Sequence, residues 1–144
     1  MKKIKIIIIF INLVITSQIL EAQVYRFEAT GFSVMEKTPG GSWGQWSELQ
    51  PLNIIVTLDT DKNRIVVYSK EIQLYEIQNY EQKQENDEDL IYPFSCSDLD
   101  GQQFIISFIT RKKQDNRKQL YINQKDVILV YNIVNFPDNH KSSN

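Results

Sequence analysis

Few residues in this chain have the types and spacing that chemistry needs. His140 is the only imidazole and lies among the last five residues. A Ser-His-acid set needs a positioned imidazole, and chain ends are poor places to hold one. Cys96 is the only thiol, so neither a Cys-His pair in an ordered site nor a four-ligand zinc site is expected. Gly40-Gly41-Ser42-Trp43-Gly44 is glycine-rich. It lacks the lysine and the strand-to-helix setting of a phosphate loop. No cofactor and no metal is therefore expected. Glycoside hydrolysis needs only two acids, roughly 5–9 Å apart, and the chain has 18 Asp and Glu residues with no spacing that selects a pair. A carboxylate-dependent hydrolase remains the alternative to a non-enzymatic role.

Two local patterns merit closer reading. Asp59-x-Asp61-x-Asn63 matches the first half of an EF-hand-type calcium loop. The match then stops, because Arg64 stands where glycine is needed and Lys70 where a bidentate Glu is needed. A plain hairpin turn explains Asp59 to Asn63 better, and Asp98-x-Asp100-Gly101 reads as a second tight turn. Trp43 and Trp46 are the only tryptophans, and they sit in a stretch rich in Gly and Ser. Exposed indoles stack on ligands or anchor partners; the competing reading is that both rings plug one end of a β core. Trp43 and Trp46 are the candidate binding residues.

The first twenty-two residues read as an address. Lys2, Lys3 and Lys5 precede an almost wholly apolar run from Ile6 to Ile15, and Ala22 ends the segment. A basic start, a short apolar run and a small terminal residue make a secretory signal peptide, with cleavage expected after Ala22. Leu20 is larger than usual at its position. A spanning helix would need about 20 apolar residues, and Thr16-Ser17-Gln18 interrupts the run. The expected protein is secreted or periplasmic, with no stable membrane span after cleavage. Ile, Lys and Asn make up 43 residues and Ala only two, a bias that suggests an AT-rich bacterial genome.

Loss of residues 1–22 removes three Lys and one Glu, moving the net charge from −2 to −4. A mildly acidic domain is a poor partner for nucleic acid. The one basic cluster, Arg111-Lys112-Lys113 with Arg117-Lys118, surrounds Asp115-Asn116 and reads as a solvated turn. Cys96 cannot form an internal disulfide and is expected to be buried as a small apolar residue.

The elements that must position these residues are strands. Tyr25, Phe27 and Ala29 alternate with polar neighbours; after Gly31 the phase flips to Phe32 and Val34, as a β-bulge would produce. Leu52–Leu58 and Arg64–Ser69 flank the Asp59 turn as the strongest hairpin. Residues 81–89 have no apolar side chain and read as an exposed, mobile loop. Leu90–Ser97 is a strand whose Pro93 favours an edge or a bend. Further strands are expected from Phe104 to Ile109, Gln119 to Ile122 and Val127 to Val134. A short helical turn is admissible only around Trp43 to Leu49. Tyr68, Tyr75, Tyr80, Tyr92, Tyr121 and Tyr131 lie in or beside strands, where they line a cavity or fill a core.

About eight strands at roughly 8–12-residue spacing predict a single all-β domain over residues 23–136, followed by a polar tail, 137–144. Sequential hairpins favour an antiparallel β-barrel, a lipocalin-like up-and-down meander, over a curved β-sandwich. That likeness is at the level of fold alone. The expected function is binding of a small ligand or a protein partner, with a structural envelope role as a further alternative. An enclosed apolar cavity would favour a ligand, two facing acids an enzyme, and a filled core with exposed aromatics a protein partner.

Overall fold

The computed structural model describes residues 23–137. The expected signal peptide at residues 1–22, His140 and all but Pro137 of the expected tail lie outside the described residues. The described residues form nine strands and no helix: β1 (Val24–Glu36), β2 (Gln50–Asp59), β3 (Arg64–Val67), β4 (Gln73–Tyr80), β5 (Gln84–Glu85), β6 (Asp89–Ser97), β7 (Gln103–Arg111), β8 (Arg117–Asn123) and β9 (Val127–Asn135). Their β-branched and aromatic content suits a pleated, half-buried surface.

Strands β1 to β4 pair in sequence, as do β6 to β9. β1 also pairs with β9, and β4 pairs with β6. All these pairs are antiparallel, so the circuit is a closed eight-stranded meander and not a sandwich. Closure removes the free sheet edges that an open meander would leave. β5 is an added ninth strand, pairing Gln84 with Ile91 and Glu85 with Leu90. Segment 81–89 is largely exposed, as expected, yet it is not a featureless loop. Asn86 Oδ1 accepts from the backbone N–H groups of Glu88 and Asp89, and Lys112 Nζ donates to the Asn86 carbonyl.

Pro93 resolves in the same way. β6 is paired on both sides, but its second partner changes from β5 at Leu90–Ile91 to β4 at Phe94–Ser97. Pro93 sits in the gap between them, where its carbonyl accepts from Glu81 N. N–H and C=O of one strand residue point the same way, so the missing N–H of proline falls where no ladder partner stands.

Two bulges set which side chains face inward. The register slips between Ala29 and Gly31 in both pairings of β1. Ala29 opposite Ile133 and Phe32 opposite Tyr131 are therefore both on the inner face. β4 slips between Ile77 and Asn79. Tyr75 and Ile77 face inward, and the extra residue turns Tyr80 inward as well, opposite Phe94.

The two ends of the barrel differ. One end carries the β1–β2 loop and the β3–β4, β6–β7 and β8–β9 turns. The interior is filled by Ile65, Ile106, Leu120, Ile122, Val56 and Val67, all essentially without exposure, and toward this first end Phe32, Leu52, Phe104 and Leu129 pack against them. The other end carries the start of β1, the β2–β3 and β7–β8 turns, the β4–β6 connection and the end of β9. Trp43 to Leu49, in the β1–β2 loop, is not helical. Lys37 and Trp43 form an isolated bridge, and Ser47 ties the loop to β1 through Ser33 and Val34.

Candidate functional site

The second end of the barrel opens into a cavity of about 1040 Å³. Its floor is aromatic. Phe27 and Phe108 lie 5.3 Å apart between ring centroids, Phe94 and Phe108 5.8 Å apart, and Tyr80 meets Phe94 edge-on at 5.5 Å. Leu58 and Ile133 complete this apolar surface. Tyr25, Tyr80 and Tyr92 stand at the rim, each substantially exposed. Tyr25 donates a hydrogen bond to Gln23 Oε1, and Tyr80 donates one of 2.6 Å to Asn63 Oδ1. Burial raises the Tyr80 phenol above its ordinary value, with smaller contributions from Cys96 and Asp59, so this hydroxyl stays protonated near neutral pH.

One wall is polar. Thr110 on β7 is the register partner of Lys118 on β8, and Lys118 is the partner of Ile133 on β9. Lys118 alternates with the fully inward Leu120 and Ile122, so its side chain shares the inner face. Asn135, opposite Phe27, adds an amide to the lining. No Asp or Glu stands among the described lining residues, whereas Arg26 and Lys118 do.

The basic cluster of the sequence therefore divides. Only its middle is a solvated turn, with Asp115 and Asn116 both at positive φ of 57° and 55°, a conformation their short polar side chains tolerate. Arg111 is on the outer face, where Nη1 meets Asp89 Oδ2 at 2.8 Å, Nε donates to Gln119 and Nη2 donates to the Tyr121 hydroxyl. Lys118 points the other way, into the cavity. The expectation that both belong to a solvated turn is corrected: a strand's period of two sends odd and even positions to opposite faces. The alternation of Lys118 with Leu120 and Ile122 carried that signal, but a lysine reads as polar until the face is known.

Trp43 and Trp46 are not at this cavity. They lie in the loop at the opposite, filled end and are 42% and 43% exposed. The Trp46 ring packs edge-on against Tyr121 at 6.3 Å, on the outer wall, and Lys37 Nζ lies 5.2 Å from the Trp43 ring centre. Neither ring belongs to the buried core, so the plug reading does not describe them.

The Asp59 segment is the β2–β3 hairpin turn, with Asp59 paired to Arg64. Two of its side-chain acceptors are engaged within the fold. Asp59 Oδ1 takes the backbone N–H groups of Asp61 and Lys62, and Asn63 Oδ1 takes the Tyr80 hydroxyl. Asp98 Oδ1 likewise caps its turn through Asp100 and Gln102, with Gly101 at φ +80°. Cys96 is fully buried on the inner face of β6, and that burial pushes its thiol up to about 12.

No protein-family model matches the chain, and no curated protein and no solved structure matches it.

Proposed function

We propose that this protein is a non-enzymatic carrier or receptor that holds a small, largely apolar ligand in the open end of its barrel. The observation that carries the reading is the cavity of about 1040 Å³ over a floor of Phe27, Phe94 and Phe108. Ligand sites are concave, mostly apolar, and recur in the mouths of barrels. Eight strands enclose just enough room for one small ligand. An antiparallel meander filled at one end and open at the other is the arrangement that lipocalin-like carriers use, an analogy of fold only. The described lining residues offer hydroxyls, amides and a lysine ammonium but no pair of carboxylates, which weighs against the hydrolase alternative. Export through residues 1–22, with release into a periplasm or the medium, belongs to the same reading, since a carrier of apolar ligands works between compartments.

A neutral probe tests it without electrostatic help. N-phenyl-1-naphthylamine, titrated into the purified protein, is expected to gain fluorescence saturably, one probe per chain. Thr110→Trp, which places a large ring over the cavity wall, is expected to lower that affinity severalfold. A linear, unsaturated response, or unchanged binding in Thr110→Trp, would overturn the proposal. The half-exposure of Trp43 and Trp46 favours a second reading, in which a protein partner is captured at the opposite end. Loss of partner capture in both Trp→Ala variants, with probe binding intact, is its expected signature.

A further inference from the structure

We propose that the ligand is an amphipathic anion, a carboxylate of the fatty-acid type, whose head pairs with Lys118 while its apolar body lies on the Phe27, Phe94 and Phe108 floor. The inference rests on the proposed ligand-binding role and specifies its chemistry. Three observations carry it. First, among the described lining residues the inward-facing charge is the Lys118 ammonium, and no carboxylate is present. Second, the ion pairs among the described residues join Lys37 to Asp126, Arg111 to Asp89 and Lys112 to Glu85. Lys118, half-buried on the inner wall, takes part in none of them. Third, Thr110 stands directly across the strand pair from Lys118 on the same inner face. Directly opposed side chains of an antiparallel pair are close enough to act together. An ammonium and a hydroxyl side by side offer a carboxylate one charge-assisted and one neutral hydrogen bond.

The placement matters as much as the sign. The apolar floor lowers the local dielectric, so a charge pair at this wall gains more than one on the outer surface. A protein that held a neutral ligand would leave Lys118 partly desolvated without return. A cationic ligand would meet a like charge at Lys118. The overall acidity of the chain works against anions at long range, but that field is screened beyond about 10 Å in ordinary salt, and Lys118 acts at contact.

Three ligands of one chain length separate the possibilities: decanoate, decanol and decylammonium, each below its aggregation threshold, competing with N-phenyl-1-naphthylamine. Decanoate is expected to bind about tenfold more tightly than decanol, with decylammonium weakest. Lys118→Gln is expected to bring decanoate down to the level of decanol while leaving decanol unchanged. Lys118→Arg is expected to keep the preference, and a cooperative melt establishes that each variant is folded. Equal binding of decanoate and decanol, or an equal loss for all three ligands in Lys118→Gln, would overturn the anion assignment while the ligand-binding role stands. Failure of the probe and all three ligands to bind would remove both.

Discussion

Cys96 shows how burial turns a reactive residue type into an inert one. Desolvation disfavours the thiolate and moves the thiol from 9 to about 12. The expected result is negligible modification by a thiol reagent at pH 8 in the folded protein and full modification after denaturation. The same shift has a sign for stability. Between these two values the unfolded thiol loses its proton while the folded one keeps it. Unfolding is therefore favoured as pH rises, and the melting temperature is expected to fall through that window after a plateau below pH 9. The tryptophans make the opposite case. Trp46 keeps an edge contact with Tyr121 and Trp43 a cation above its ring. Such contacts are worth about 0.5–1.5 kcal/mol. Trp43→Ala and Trp46→Ala are each expected to destabilise by about that amount in denaturant titrations. Ile106→Ala, which empties a fully buried site, is expected to cost about 2–5 kcal/mol.

At the scale of elements, the β1–β2 loop is fitted closely against the strand that precedes it. Gly44 N donates to the Glu36 carbonyl at 2.9 Å, and a Cβ built on Gly44 would lie 2.9 Å from that same oxygen. The obstacle is backbone, which cannot rotate away. Gly44→Ala is expected to cost about 1–3 kcal/mol, the range of overpacking. Gly40→Ala meets nothing nearer than 3.9 Å and is expected to be neutral or to stabilise by up to about 1 kcal/mol through the unfolded chain. Paired melts of the two variants check both. The β4 bulge is the element-scale device that serves the cavity. Without its extra residue Tyr80 would face solvent, and Phe94 would lose its edge-on neighbour.

For the molecule as a whole, closure through β4–β6 joins the two halves of the meander into one barrel with unlike ends. Both described termini, Gln23 and Pro137, lie at the open end, and Val24 and Pro137 line the cavity. Removal of the expected leader, residues 1–22, is expected to leave the core packing untouched, because the buried core runs from Ala29 to Ile133. Intact-mass analysis of exported protein is expected to show a chain starting at Gln23. A mature form that retains residues 1–22 would contradict the proposed export route.

The period-two alternation, the phase slip at Gly31 and the turns at Asp59 to Asn63 and Asp98 to Gly101 were all legible in the sequence. Each is a local matter of side-chain spacing and turn chemistry, decided within a few residues. The burial of Cys96 was legible too, because its chemistry had no other ordered use. What the tertiary structure alone decided is long-range. Barrel closure needs β4 to meet β6 across the short β5, a pairing that no local pattern announces. Pro93 reads as an edge residue until the gap between β4 and β5 is seen. The cavity depends on seven elements meeting at one end, and the tryptophans drew attention to the opposite end because bulk and a glycine-rich loop are visible in one dimension. Lys118 stayed hidden for the converse reason. Which face of a strand is inside is a property of the closed sheet, and only closure makes one lysine of a basic run point toward an apolar floor.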